Sequence, residues 1–183
     1  IVIGGVAGGA TAAARLRRID ESAEIIMVER GPYVSFANCG LPYHISGAIA
    51  EREQLLVATA ELFRDRYNID VRVRTEAIAI DRAAKTVRLR NLETGTETDE
   101  SYDRLLLSPG AEPFKPKLPG VDAQRIFTLR NLEDMDRIVA ATETGMRAVI
   151  IGAGFIGLEM AEQLKHKGLS VQLVELQNQI FPP

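Results

Sequence analysis

The chain carries one cysteine, Cys39, within the segment Ser35–Tyr43 (Ser-Phe-Ala-Asn-Cys-Gly-Leu-Pro-Tyr). A lone cysteine is more often a small buried apolar residue than a nucleophile. Here, however, its neighbours include Asn38, Gly40 and Pro42, which favour turns over core packing. A thiolate in such a turn can attack a disulfide, and an electron-poor ring beside it would stabilise its charge. The residues alone leave a redox role and a structural role equally open.

Two glycine-rich turns follow short apolar runs. The first, Gly4–Gly9, follows Ile1–Ile3, and the second, Gly152–Gly157, follows Arg147–Ile151. In a dinucleotide site the first glycine permits a tight turn after the strand, the second admits backbone close to a pyrophosphate, and the third allows close helix–strand packing. The second turn has all three glycines (Gly152, Gly154, Gly157). The first has Gly4 and Gly9 at the outer positions and Val6 in the middle.

Each turn leads into a helix pattern and then into a strand that ends in glutamate. Ala10–Arg18 reads as a helix and Glu24–Glu29 as a strand, and Ser170–Glu175 closes the second copy. An acidic residue about 20 residues after such a turn accepts hydrogen bonds from a ribose hydroxyl. The two units therefore predict two dinucleotides, typically FAD and a nicotinamide. Because Glu175 would repel a 2′-phosphate, NADH is favoured over NADPH.

The remaining segments give a coarse α/β pattern. Three prolines, Pro113, Pro116 and Pro119, predict a linker. The other predictions are a loop-rich stretch over Gly31–Gly47, a helix over Glu51–Tyr67, strands over Asp70–Arg74, Glu76–Ile80, Thr86–Arg90 and Tyr102–Leu107, a polar turn over Glu93–Thr98, and a helix over Leu132–Thr142.

Composition excludes several kinds of partner. The 22 Lys and Arg against 25 Asp and Glu give a net charge of −3, which offers no basic excess for nucleic acid or an anionic membrane. The longest uninterrupted run of apolar residues and glycine, Ala148–Leu158, is too short to span a bilayer, which needs about 20 residues. One cysteine excludes an internal disulfide, which favours a reducing compartment, most simply the cytoplasm. The scattered acids and the separate His44 and His166 predict no metal site.

Taken together, the motifs Ser35–Tyr43, Gly4–Gly9 and Gly152–Glu159 resemble the single-cysteine branch of the FAD-dependent pyridine nucleotide–disulfide oxidoreductases. That branch contains coenzyme A-disulfide reductases, NADH-dependent persulfide reductases, and NADH oxidases and peroxidases. The resemblance extends over essentially all 183 residues. It implies an α/β, Rossmann-like FAD/NAD(P)-binding fold of the glutathione-reductase type (three-layer ββα), present here incompletely.

The resemblance also implies a domain organisation. In that family the FAD domain is built from two separated segments, with a nicotinamide domain inserted between them and an interface domain after them, sometimes followed by a rhodanese domain. We therefore expect residues 1–115 to be the first segment of the FAD domain, with the redox cysteine loop, and residues 116–183 to be a linker and the truncated opening βαβ unit of the NADH domain. The chain would be an N-terminal fragment, inactive when isolated, of a homodimeric flavoenzyme.

Family roles carry over to individual positions. Cys39 resembles the redox-active nucleophile. The positions that resemble cofactor-binding residues are Gly4, Gly9, Glu29, Ser108 and Gly110 for FAD, and Gly152, Gly154, Gly157, Glu159 and Glu175 for NADH. The positions that resemble contacts to CoA, as a substrate or bound thiol, are Thr11, Arg15, Arg18, Ser35 and Asn38. Two positions depart from the pattern: Ser108-Pro109-Gly110 replaces the commoner Ala-Thr-Gly, and Tyr67 stands where some CoA-disulfide reductases have lysine.

The main reading is that electrons pass from NADH through FAD and Cys39 to a small CoA-linked disulfide or persulfide. With no Cys-x4-Cys pair, an internal dithiol is excluded and CoA would serve as the partner thiol. One alternative is an NADH oxidase or peroxidase that uses a Cys39 sulfenic acid. Those enzymes commonly have a histidine in the first glycine turn, whereas Val6-Ala7-Gly8 contains none. The other alternative is a nucleotide-binding fragment without activity.

Overall fold

A computed structural model describes residues 1–181 of the chain and divides them into two units. The first unit comprises Ile1–Phe36 and Leu56–Ala111, and the second comprises Ala37–Leu55 and the chain from Glu112 onward. The sequence predicted a different division, with an FAD-domain segment over 1–115 and an NADH-domain segment over 116–183. That domain organisation stays a prediction. No helix within residues 1–181 has the length and apolar character needed to cross a membrane.

The first unit contains a parallel sheet and an antiparallel sheet. Its elements are β1 (Val2–Ile3), α1 (Gly8–Ile19), β2 (Ile26–Val28), α3 (Ala60–Tyr67), β3 (Asp70–Arg72), β4 (Thr75–Asp81), β5 (Thr86–Asn91), β6 (Glu97–Ser101) and β7 (Leu106–Leu107). The parallel strands lie in the order β3-β2-β1-β7, with Val2 opposite Met27 on one side and Leu106 on the other. The predicted first βαβ unit is therefore present.

Small side chains let α1 lie close to the parallel sheet. Ala10 and Ala13 are buried against Val2, Met27 and Val71 in one apolar cluster. Burying this apolar surface supplies the main stabilisation of the layer, at roughly 25 cal/mol per Å². The exposed side of α1 carries Arg15 and Arg18 together with the apolar Leu16 and Ile19.

The antiparallel sheet has the order β4-β5-β6. Val87 and Leu89 of β5 are buried and alternate with exposed Arg88 and Arg90. The polar turn predicted over Glu93–Thr98 is wrong at its end, because β6 begins at Glu97. Cross-strand ion pairs of Arg88 with Asp99 and of Arg90 with Glu97 stabilise this polar strand, and single-strand periodicity does not report such pairs.

The second unit combines three helices with a parallel strand pair. Its elements are α2 (Leu41–Ser46), α4 (Leu132–Ala141), β8 (Arg147–Ile151), α5 (Phe155–His166) and β9 (Ser170–Val174). β8 and β9 pair in parallel from Arg147 opposite Ser170 to Ile151 opposite Val174, as the second βαβ prediction requires. α2 packs against α4 and α5, and Leu41, Ile45, Leu132, Met135 and Leu164 are buried in this unit.

Between β2 and β3, one prediction is incomplete and another is wrong. Gly31–Gly47 is not loop throughout, because it contains a 3₁₀ turn at Asn38–Gly40 and then α2, which has Pro42 in its first turn and ends at left-handed Gly47. Glu51–Tyr67 is not one helix. A 3₁₀ turn at Arg52–Leu55 is followed by a bridge between Phe36 and Leu56, and this extended pairing ends any helix before Thr59 caps α3.

Candidate functional site

The first glycine turn joins β1 to α1 and has the geometry expected of a nucleotide-binding turn. Gly4 has φ of +95°, in the left-handed region that favours glycine. Its N–H donates to the Val28 carbonyl at 2.8 Å. A Cβ at Gly9 would overlap the Gly4 carbonyl oxygen. The first and third glycines therefore do what the sequence predicts: one makes the turn, and the other lets α1 start against it.

Ser108 lies against this turn. Its N–H donates to the Ile3 carbonyl at 2.7 Å, which continues the pairing of β7 with β1. A Cβ at Gly4 would overlap the Ser108 carbonyl oxygen, and a Cβ at Gly8 would overlap its hydroxyl. The structure thus brings Ser108 to the predicted flavin turn, and it adds Gly8, which sequence reasoning did not single out. Gly110 follows as an exposed residue with φ of +72°.

Glu29 braces the turn from the end of β2. Its carboxylate accepts from the Gly5 N–H and from the Gly31 N–H, both at 2.8 Å. Each carboxylate oxygen can accept a further hydrogen bond, so the ribose role predicted for Glu29 is compatible with this bracing. What the sequence did not indicate is that the same carboxylate orients the backbone of the glycine turn itself.

The second turn repeats this geometry between β8 and α5. Gly152 has φ of +100°, its N–H donates to the Val174 carbonyl at 2.8 Å, and a Cβ at Gly157 would overlap the Gly152 carbonyl oxygen. Glu175 accepts from the Ala153 N–H at 2.7 Å and from the Gln177 N–H at 2.8 Å. These backbone hydrogen bonds lower the pKa of Glu175, so its charge is retained at neutral pH. Gly154 is the N-cap residue of α5, and Glu159 is half-buried on that helix.

The helices that follow the two glycine turns begin without a capping side chain. Among the described residues, no side chain caps α1 at Ala7 or α5 at Gly154, and neither first turn carries an acid. By contrast, Thr59 caps α3 and Asn131 caps α4. First-turn N–H groups and the positive end of a helix attract phosphate. The uncapped starts of α1 and α5, each preceded by a glycine turn, are thus suited to a pyrophosphate, whereas Thr59 and Asn131 already occupy the starts of α3 and α4.

Cys39 is exposed and belongs to the second unit. It sits in the 3₁₀ turn directly before α2, where the Gly40 N–H donates to the Ala37 carbonyl at 2.9 Å. The nearby His44 directs Nδ1 to the Ile49 carbonyl at 2.8 Å. That bond makes His44 a local support of the loop.

The predicted CoA contacts divide between the two units. Thr11, Arg15 and Arg18 are exposed along one side of α1 in the first unit, as spacings of four and three residues require. Ser35, also in the first unit, has φ of +46°, and its N–H donates to the Gly5 carbonyl at 2.9 Å. Asn38 is exposed beside Cys39 in the second unit. The CoA roles themselves stay predictions.

Sequence reasoning missed Arg17. Its guanidinium donates to the Tyr67 carbonyl at 2.7 Å, to the Asn68 carbonyl at 2.8 Å and to the Glu21 carbonyl at 2.6 Å. It therefore satisfies carbonyl oxygens at the C-terminal ends of both α1 and α3. The only available signal was a basic residue in the last turn of a helix.

Within residues 1–181 no cluster of acids, histidines and cysteine has the arrangement of a metal site.

Comparisons with known proteins agree with this geometry. The pyridine nucleotide-disulphide oxidoreductase family profile matches residues 1–183. The coenzyme A disulfide reductase of Staphylococcus haemolyticus is 43% identical over 176 residues, which covers 95% of this chain and 39% of that protein. The chain therefore spans well under half the length of this curated relative.

Two solved structures are similar over nearly the whole chain. Reduced Bacillus anthracis CoADR-RHD superposes with a TM-score of 0.96 at 53% identity, covering 100% of this chain and 33% of that one. A NAD-dependent persulfide reductase from A. fulgidus has a TM-score of 0.93 at 41% identity, covering 98% of this chain and 34% of that one. The incomplete Rossmann-like fold predicted from the sequence is confirmed.

Proposed function

Because the chain belongs to the pyridine nucleotide-disulphide oxidoreductase family, we propose that the protein is a flavoprotein that passes electrons from NADH, through FAD and Cys39, to a CoA-linked disulfide or persulfide. The observation that carries this proposal is one exposed cysteine in a chain with two braced glycine turns. The likeness to a coenzyme A disulfide reductase and to a persulfide reductase supports the same substrate class.

The residues of the first turn fit FAD. Gly4, Gly8 and Gly9 leave no room for a Cβ, so only backbone is present at these three positions around the uncapped start of α1. Glu29 fixes the orientation of this backbone, and Ser108 closes its other side. These residues would hold the pyrophosphate and ribose of FAD. When bound, FAD would supply the two-electron chemistry that links NADH to a sulfur–sulfur bond at Cys39.

The residues of the second turn fit NADH. Gly152, Gly154 and Gly157 line the start of α5, and Glu175 stays ionised because two backbone N–H groups hydrogen-bond to its carboxylate. A fixed carboxylate can accept from the 2′- and 3′-hydroxyls of an adenine ribose, whereas it repels a 2′-phosphate. NADH is therefore the proposed donor over NADPH.

Cys39 is the proposed nucleophile. Its thiolate attacks one sulfur of CoA disulfide, the substrate S–S bond breaks, and a mixed disulfide of Cys39 with CoA forms as one CoA thiolate leaves. Two electrons from NADH then break the mixed disulfide, and a proton from water completes the second CoA thiol. Because the chain has no second cysteine, CoA takes the role that a resolving cysteine has elsewhere.

CoA is an anionic ligand, and the first unit offers cationic contacts for it. Arg15 and Arg18 project from one side of α1 into solvent, where a guanidinium can bind a phosphate through two hydrogen bonds. Thr11, Ser35 and Asn38 complete the proposed contacts.

We further propose that the protein works in the cytoplasm as a homodimer; light scattering of the purified protein tests the dimer.

The test is NADH-driven reduction of CoA disulfide by the full-length protein, beside its Cys39→Ser variant. We expect the variant to lose disulfide turnover to background while it stays yellow and still passes electrons from NADH to ferricyanide, which bypasses Cys39. Retained disulfide turnover in the variant would refute the nucleophile. Oxygen turnover above disulfide turnover in the wild type would instead identify an oxidase, and a colourless full-length protein would refute the flavoprotein assignment.

A further inference from the structure

A second turn directly backs the turn that carries Cys39. The Ala37 N–H donates to the Leu55 carbonyl at 2.8 Å. A Cβ added at Gly40 would come within 2.6 Å of the Leu55 side chain, so Gly40 already packs closely on it. Leu55 itself is 0% exposed. The position of Cys39, which lies between Ala37 and Gly40, therefore depends on the position of the 3₁₀ turn Arg52–Leu55.

A bidentate ion pair ties this backing turn to α4. Arg52 donates through Nε to Oδ1 of Asp136 at 2.9 Å and through Nη2 to Oδ2 of Asp136 at 2.9 Å. The side chains are 25% and 44% exposed. Two parallel hydrogen bonds fix the direction as well as the distance between the groups. The two residues are 84 positions apart in the chain.

α4 is a rigid anchor for such a tie. Asn131 caps its first turn by accepting from the Asp134 N–H at 2.8 Å, and the Asp134 carboxylate accepts from the Arg130 N–H at 2.9 Å. Leu132 and Met135 are fully buried. A carboxylate presented by a capped and buried helix can therefore hold the Arg52 turn in one place.

We propose that Arg52 and Asp136 are positioning residues for Cys39, holding its sulfur in the arrangement that electron transfer to a bound disulfide requires. The role of this pair in disulfide reduction rests on the proposed function. Half-exposed ion pairs contribute little to overall stability, because solvent screens them. The main effect of this pair is therefore on the geometry of the cysteine turn.

The test compares Asp136→Asn with Asp99→Asn in the full-length protein. Asp99 is a matched control, because it forms a bidentate pair with Arg88 at 2.9 Å on the antiparallel sheet of the first unit. For Asp136→Asn we expect kcat for CoA disulfide reduction to fall about tenfold. KM for NADH and ferricyanide turnover should stay within about twofold of wild type, since neither requires Cys39 to be aligned.

Arg52→Lys should give an intermediate kcat, because lysine keeps the charge without the two-pronged geometry. Asp99→Asn should change neither activity. The proposal is wrong if Asp136→Asn leaves disulfide turnover unchanged, or if disulfide and ferricyanide turnover fall together, as general damage to the fold would produce.

A second measurement separates this inference from the proposed function. The rate at which iodoacetamide alkylates Cys39 is measured at several pH values between 6 and 10, with intact mass to count the modified protein. This measurement needs no substrate. We expect Asp136→Asn to react about threefold faster or more, because a loosened turn presents the sulfur more freely, and Asp99→Asn to react at the wild-type rate. Equal rates in all three proteins refute the positioning role, whether or not CoA disulfide is a substrate.

Discussion

The two glycine turns share one backbone geometry in different surroundings. In each, the first glycine has a left-handed φ, and the third glycine lies against the carbonyl of the first. A strand-end glutamate accepts a hydrogen bond from the N–H of the residue that directly follows the first glycine. The first turn, however, is enclosed by the backbone and hydroxyl of Ser108. Around the second, no heavy atom of residues 1–181 beyond the immediate neighbours comes within 4 Å of a Cβ built at Gly152 or Gly154.

The same local motif thus lies in two different surroundings. Hydrogen bonds and glycine conformations within about 25 residues produce the turn, and they are the same in both copies. The surroundings come from elements distant in sequence. Ser108, which follows β7, supplies such surroundings for the first turn.

The largest effect should come from filling the space at the third glycine. In Gly9→Ala the new methyl meets a backbone oxygen, which cannot rotate away, and also Val2 at 3.0 Å. We expect a loss of about 3 kcal/mol in unfolding free energy for Gly9→Ala and about 1–2 kcal/mol for Gly157→Ala, whose apolar neighbour Ile150 is at 3.5 Å. Urea denaturation of each variant measures this.

Gly154→Ala is the control for that pair, since φ of −76° and the open space around it accept alanine. We expect its stability to lie within about 0.5 kcal/mol of wild type. Equal losses for Gly9→Ala and Gly157→Ala would mean that the crowding around the first turn has no energetic consequence.

The bracing glutamates should give the next largest effect. In Glu29→Gln one of the two backbone N–H groups loses its acceptor, which we expect to cost about 1–2 kcal/mol of stability in the first unit. Calorimetry of Glu29→Gln against Glu24→Gln, an exposed control, measures this cost. A loss no greater than that of the control would show that the carboxylate does not brace the turn.

Glu175 should add a pH dependence to the second turn. Backbone hydrogen bonds lower its pKa in the folded state, so its contribution is complete above the ordinary glutamate pKa of about 4.3 and is lost as pH falls through the lowered value. We expect the thermal midpoint of the wild type to fall more steeply than that of Glu175→Gln on acidification from pH 5 to pH 3. Parallel curves would contradict this.

The smallest effect should be on substrate binding, and it should differ between the exposed sides of α1 and α5. Counted from the first glycine of each turn, Arg18 of α1 corresponds to His166 of α5, and both side chains are exposed. We expect Arg15→Ala and Arg18→Ala each to raise KM for CoA disulfide about fivefold, and His166→Ala to leave it unchanged. An unchanged KM in both arginine variants would remove α1 from the substrate site.

Much of the fold was predictable because its signals are local. Both βαβ units follow from apolar runs, glycines and strand-end acids within one segment. The six-residue helix α2 was not, because its sequence has turn formers, and burial of Leu41 and Ile45 in the second unit makes it helical. The break before α3 was missed because Leu56 pairs with Phe36, a contact that helical periodicity does not report.

For the site, the sequence alone determined the turn glycines and the two strand-end glutamates, since glycine conformation and charge act within a few residues, whereas the exposure of Cys39 came from the structure. Only the tertiary structure decided that Ser108 encloses the Gly4 turn, that Arg17 closes two helix ends, and that Asp136 reaches Arg52. These contacts join residues that are distant in the chain. Their formation depends on how sheets and helices pack, and that packing is decided by the whole apolar core rather than by any one segment.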